Sequence, residues 1–422
     1  ALLLAISPWH IMQSRSAMLV GVALFFLVLA VWGFVKGLSS SKYWYLSTIA
    51  FVLSIYSYYG MRLLVPLFII ACVVFFRAQI KAKSQTIFKS LILAVILLLP
   101  LTIGFFKNSD VVFGRARTVS IFYDRHVALT VWNLISQDGM AFPAKKARFF
   151  HNKPHLYLHE ILMRFGEHLE ARFLLFEGDK HPPFQIPGMG VVYYPDVFFV
   201  ILGVVMLLRG KRKFLTFLAI WVFVSILPAA LTFLTPSANR SFSMVVALMM
   251  LSAMGIMTLT DKYKSGMIKI LVIIFYTLNF SWFIYQYVVV LPNQHADWWL
   301  WGYRELTGYL KTQETGYDRI IISGKAGMPY IYYLFYNAID PAVAQAQIVH
   351  NYQADEFGFE HVNAIGKYRF IRNFTWEKDG VKLPSATLLV VTGKEAVGDN
   401  VRQKNSIRYP NQTPAFKIYE IL

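Results

Sequence analysis

What most constrains this chain is a succession of apolar stretches, each close to the length needed to cross a bilayer core. About 20 predominantly apolar residues make one helical crossing. Eight stretches qualify, at 17–35, 43–59, 63–76, 87–106, 191–208, 214–234, 242–260 and 267–291, and residues 1–6 read as the tail of a ninth. Composition agrees, with 56% of residues hydrophobic and only 15% charged, against about 25% charged in a soluble domain. The expected fold class is therefore a polytopic α-helical membrane protein. Residues 43–76 as one helix would run roughly 50 Å, too long for a single crossing. A break is expected in "SYYGMR", around Gly60. The sequence opens in mid-run at Ala1, with no Met and no basic flank, and reads as an amino-terminally truncated chain.

Lysines and arginines set the expected orientation. "KGLSSSK", "RAQIKAKSQTIFK", "RGKRK" and "DKYKSGMIK" hold 2, 4, 4 and 3 basic residues and fall on alternate loops. The positive-inside rule puts all four in the cytoplasm. The short loops of the other side hold one arginine each, Arg15, Arg62 and Arg240. The 84-residue loop 107–190 and the region after Pro292 are then extracytoplasmic. Localisation is expected in the cytoplasmic (inner or plasma) membrane, multi-pass. Four segments follow: helices in 1–106, a long outer loop at 107–190, four more helices in 191–291, and a carboxyl-terminal extracytoplasmic domain at 292–422.

A formal charge of +18 raises nucleic acid as a partner, but 13 of the 41 basic residues belong to those cytoplasmic loops. The outer loop carries eleven basic against eight acidic residues and the tail fourteen against thirteen, so no basic stripe is left to bind a nucleic acid. The single cysteine, Cys72, lies within an apolar stretch, lipid-facing or packed, and excludes an internal disulfide. In the outer loop, "HLYLHEILMRFGEHLEARFLLF" places Leu156, Ile161, Leu162, Phe165, Leu169, Phe173 and Leu174 near one helical face. That pattern predicts a helix lying on the membrane surface. In the tail, "RIIISG", "TLLVVTG" and "FKIYEI" read as strands and "LWGYRELTGYLKTQ" as a helix, so a small α/β domain is expected.

The polar knot "SPWHIMQSR", set between apolar runs, lies at the outer mouth in this topology. An arginine near a bilayer takes a partner because its exposure to hydrocarbon is costly. Arg15 either snorkels to headgroups, with Trp9 in an aromatic belt, or holds a phosphate. Four segments in order, "LLLAISPWHIMQSRSA", "LSIYSYYGMRLLVPLF", "LLFEGDKHPPFQIPGMGVVYYPDVFFVILG" and "ILPAALTFLTPSANRSFSMV", resemble bacterial family 39-type glycosyltransferases. Those are GT-C fold membrane enzymes related to the protein O-mannosyltransferases and the aminoarabinose lipid A transferases. The resemblance covers roughly residues 1–260 and implies transfer of one sugar from a polyprenyl-phosphate donor to a glycan, lipid or protein acceptor at the outer face. It also implies an aspartate base in a first outer loop, expected upstream of Ala1. The glutamate that often follows the family's Ser-Arg pair is missing from "SRSAMLVG".

Displacing a polyprenyl phosphate builds negative charge that arginine forks and phenol or imidazole donors stabilise. Arg15, Arg62 and Arg240, with His10, Tyr58 and Tyr59, are the candidate donor-phosphate ligands. Asp179 and His181 in "EGDKHPP" match a family segment beside the cavity and, with Glu160, are candidate substrate contacts, against the alternative of an ordinary Pro-rich turn. The one cofactor the residues offer is a divalent metal, for which His155 and His159 have the i, i+4 spacing, with Glu160 beside them and His151 upstream, against the alternative of a chance pair on a surface helix. The competing class is a transporter or flippase for a lipid-linked sugar, which would more often show midplane breaks and an internal repeat. Neither is visible in this sequence.

Overall fold

The computed structural model describes all residues except 82–83, 124–125, 140–141, 211, 354 and 356–358. Lys83 and Lys211, two of the basic-loop residues, lie outside the described residues. Two compact units form, Ala1–Gln286 and Tyr287–Leu422.

Every one of the eight apolar stretches forms its own helix in the first unit: Leu19–Ser39, Tyr43–Ser57, Met61–Phe75, Ser84–Lys107, Tyr194–Gly210, Arg212–Ala230, Met244–Tyr263 and Gly266–Tyr285. Among the described residues five runs are long and apolar enough to cross a membrane: Leu19–Ser39, Ser84–Lys107, Arg212–Ala230, Met244–Tyr263 and Gly266–Gln294. The other three have 15, 15 and 17 residues, so Tyr43–Ser57 and Tyr194–Gly210 are slightly shorter than their apolar stretches and Met61–Phe75 is about as long as its own. A 15-residue helix reaches only about 22 Å, short of a bilayer core of about 30 Å. Local chemistry explains each end. Tyr58 leaves the Tyr43–Ser57 helix in extended backbone, and the chain turns at Gly60, where an added Cβ would come 2.7 Å from the Tyr58 ring. The Tyr194–Gly210 helix starts late because Pro195 occupies its first turn and Asp196 accepts from the Tyr193 N–H at 3.1 Å.

Polar side chains and glycines bring these helices together. Ser47 and Ser54 donate from Oγ to the carbonyls of Ala30 and Ala23, at 2.8 and 2.9 Å, stapling Tyr43–Ser57 to Leu19–Ser39. A Cβ on Gly203 would meet the Leu251 carbonyl oxygen at 2.3 Å, and one on Gly255 the Phe199 oxygen at 2.0 Å. Only glycine permits the Tyr194–Gly210 and Met244–Tyr263 helices to approach so closely. Nearby, buried Asp196 accepts from Tyr276 Oη at 2.7 Å and Ser252 Oγ at 3.1 Å, knotting three helices. Cys72 is packed in the core, not lipid-facing. The Ser84–Lys107 helix is almost bare along its length, with Leu91 61% exposed. Apolar surface of that extent on a folded protein is covered by lipid or a partner.

The amphipathic run at 155–176 is not one helix. It forms Lys153–Glu167 and a separate π-turn, Arg172–Phe176, because His168 turns inward and is buried. Phe173 joins the core, whereas Leu162 and Leu169 stay exposed.

The second unit is a seven-stranded mixed sheet in the order β2-β3-β4-β1-β5-β7-β6. Its strands are β1 (Arg319–Ser323), β2 (Ile348–Asn351), β3 (His361–Ile365), β4 (Tyr368–Ile371), β5 (Thr387–Thr392), β6 (Val401–Arg408) and β7 (Pro414–Ile421). The three strands expected from the sequence are β1, β5 and β7, and the expected helix is Tyr303–Gln313. Central β1 runs parallel to β4 and β5 and is covered on both faces, which is why it reads as a continuous apolar run. Ile320 and Ile322 pack under Tyr303, Leu306 and Leu310, while Ile321 packs with Phe374 and Leu389 on the other side.

Candidate functional site

The site is organised by residues 231–243, the segment between the Arg212–Ala230 and Met244–Tyr263 helices, held from four sides. Trp9 is 1% exposed and donates from Nε1 to the Ala238 carbonyl at 2.7 Å. Trp9 therefore belongs to the core, wedged against Phe173 and Phe242, and not to an aromatic belt. Asp179 Oδ2 accepts from the Ala238 N–H at 2.7 Å, and Oδ1 from the His181 N–H at 2.8 Å. His168 Nε2 accepts from the Ser237 N–H at 2.9 Å while its Nδ1 lies 2.8 Å from the Arg164 carbonyl, so the neutral tautomer with Nδ1–H satisfies both partners. Arg164 donates from Nη1 to the Thr232 and Phe233 carbonyls, and Glu160 clamps its guanidinium at 3.0 and 3.2 Å.

Burial sets the charges here. It pushes His168 down to about 4, leaving it neutral at physiological pH. It pushes Asp179 up to about 6, against the pull of the His181, Ala238 and Asn239 N–H groups and the Arg240 charge. Burial also lowers His10, which stacks on Phe242 at 6.0 Å, and lowers His181, which Arg240 depresses further.

This frame presents Arg240. Its Nη1 donates to Thr232 Oγ1 and the Leu234 carbonyl, both at 3.1 Å. Those are its described bonds, so the Nε and Nη2 donors remain for a ligand. Burial lowers the Arg240 pKa, Tyr58 and Asp179 hold it up, and the like charge of Arg115 pushes it down. Arg115 and Arg240 both act on Tyr58 as well. Two guanidinium groups thus bear on a region whose nearby carboxylate, Asp179, is already engaged by backbone N–H groups. The surplus is positive, and an anion would relieve it.

Of the sequence-derived candidates, Asp179 and His181 share one turn, Arg240 lies within electrostatic reach of Tyr58, Asp179 and His181, and His10 stacks on Phe242. Arg62 lies over the Tyr59 ring at 4.1 Å. Arg15 is exposed at the end of the Pro8–Arg15 helix. Glu160 is paired with Arg164. His155 and His159 are exposed, and among the described residues no three His, Cys, Asp or Glu side chains gather as a metal site. No protein-family model, curated protein or solved structure matches the chain. Sequence reasoning missed His168, Arg164 and Arg115, whose roles depend on contacts with distant segments. It also missed Asp196, for which a lone carboxylate inside an apolar stretch was the available signal.

Proposed function

We propose that this chain is a GT-C type integral glycosyltransferase of the cytoplasmic membrane, moving a sugar from a polyprenyl-phosphate donor to an acceptor at the extracytoplasmic face. The supporting observation is the cationic surplus around Arg240, beside Tyr58 and His181. In transfer, the bond from the anomeric carbon to the phosphate oxygen breaks and one to the acceptor oxygen forms. The acceptor proton passes to a base, and the leaving phosphate gains negative charge. Arg240 Nε and Nη2 supply fork-like donors to that phosphate, with Arg115 adding field and the Tyr58 hydroxyl a further donor. Asp179 is not assigned as the base, because both its oxygens are engaged in fixing the loop. It acts through Arg240 as a positioning residue.

The test is a reconstitution of the protein in lipid vesicles with a panel of polyprenyl-phosphate sugars, following release of polyprenyl phosphate. Release that depends on an added acceptor is expected. A protein that only carries the donor across the bilayer releases none, and that outcome would replace the transferase reading with transport.

A further inference from the structure

The second unit holds a cavity of about 740 Å³, within the roughly 300–1,000 Å³ range of ligand pockets. Its walls follow the carboxyl ends of the three adjacent parallel strands. Phe374 to Trp376 come after β4, Lys325 to Gly327 after β1, and Thr392 to Ala396 at the end of β5. In sheets with parallel strands, ligands bind in the crevice beyond the carboxyl ends.

The chemistry of the lining narrows the ligand. Trp376, Trp298 and Tyr409 give it aromatic walls. Trp376 is fixed by backbone packing, since a Cβ on either Gly380 or Gly398 would fall 2.3 Å from its indole. At the inner end, Glu395 is 8% exposed, and its carboxylate accepts from Ser323 Oγ at 2.9 Å and the Thr392 N–H at 2.7 Å. Lys325 Nζ stands 3.3 Å from Glu395, and Lys394 Nζ 3.9 Å from Asp297. Glu377 adds a third carboxylate to the lining. A phosphate would meet three carboxylates and two lysines already near an acid, and a wholly apolar ligand would strand all five charges. A neutral sugar satisfies both sets of groups, with its C–H face on indole and its hydroxyls bonded to carboxylate and ammonium.

We propose that this cavity is a saccharide-binding site, with Trp376 as the stacking platform and Glu395 and Lys325 as the hydroxyl partners. The inference rests on the second unit alone and stands whether or not the chain is a transferase. The test uses the full chain in lipid nanodiscs, free of sugar detergents, with methyl glycosides of glucose, galactose, mannose and N-acetylglucosamine and the disaccharides maltose and cellobiose. Saturation-transfer NMR reads binding. At least one sugar is expected to bind at millimolar concentration, with transfer concentrated on its ring C–H protons. Trp376→Ala should weaken it about tenfold, the loss of one stacking contact, and Trp376→Phe should restore most of it. Should Trp376→Ala not fold, Trp298→Ala, at a position 50% exposed, provides the same comparison with a smaller loss. Failure of every sugar to bind, binding indifferent to these variants, or preferential binding of inorganic phosphate would overturn the proposal.

Discussion

His168 and Asp179 fix the same loop from adjacent positions, Ser237 and Ala238, yet burial shifts them in opposite directions. His168 falls from 6.5 to about 4, so its contribution is complete above pH 6.5 and is lost as pH falls toward 4. Asp179 rises from 3.8 to about 6, so its contribution is present below 3.8 and is lost as pH rises through 6. Between about 4 and 6 the two slopes oppose each other. Relative to the parent protein, His168→Gln should lose stability as pH rises across that window and Asp179→Asn should gain it. Cys72 is the single cysteine and is buried, so a thiol-reactive dye reports the melting temperature directly. Parallel pH profiles for parent and variants would contradict these assignments. Asp179 was singled out by the family-like segment around it, as a substrate contact and not as the anchor of this loop. His168 was hidden, because a histidine within an amphipathic run reads as a surface residue until the helix is seen to end at Glu167.

At the scale of elements, the first unit is joined by a few polar and glycine contacts embedded in apolar surface. Gly255→Ala should push the Met244–Tyr263 helix off Phe199, since no rotamer relieves a clash between Cβ and a backbone oxygen. A loss of about 1–3 kcal/mol is expected from such overpacking, read as a lower melting temperature. Asp196→Ala removes the acceptor for the Tyr276 and Ser252 hydroxyls and the Tyr193 N–H. Its cost is also about 1–3 kcal/mol, because those donors stay buried. Unchanged melting for both variants would mean that lipid, rather than these contacts, holds the helices together. The apolar stretches themselves were legible from hydropathy, since continuous apolar sequence forms helix wherever backbone groups lack water. Their exact lengths were not, because ends such as Pro195 and Tyr58 are set by local hydrogen bonds and turns.

At the scale of the whole molecule, the central strands β1, β5 and β7 were legible because buried strands read as apolar runs. Strands β2, β3, β4 and β6 were not, being short or alternating with polar residues. The membrane orientation proposed from loop charge has its own test. Single cysteines at Gly210 and Asn351, introduced with Cys72 left buried, should be labelled by a membrane-impermeant thiol reagent from opposite sides of the membrane, Asn351 from outside. Labelling of both from one side would contradict the orientation. The central claim concerns the donor phosphate at Arg240. Replacing Arg240 by lysine keeps the charge and removes the fork. At limiting donor, Arg240→Lys should lower the rate of polyprenyl phosphate release about tenfold, a loss of roughly 1.4 kcal/mol of transition-state stabilisation, in protein that still melts cooperatively. Parental turnover by Arg240→Lys would contradict a phosphate site there.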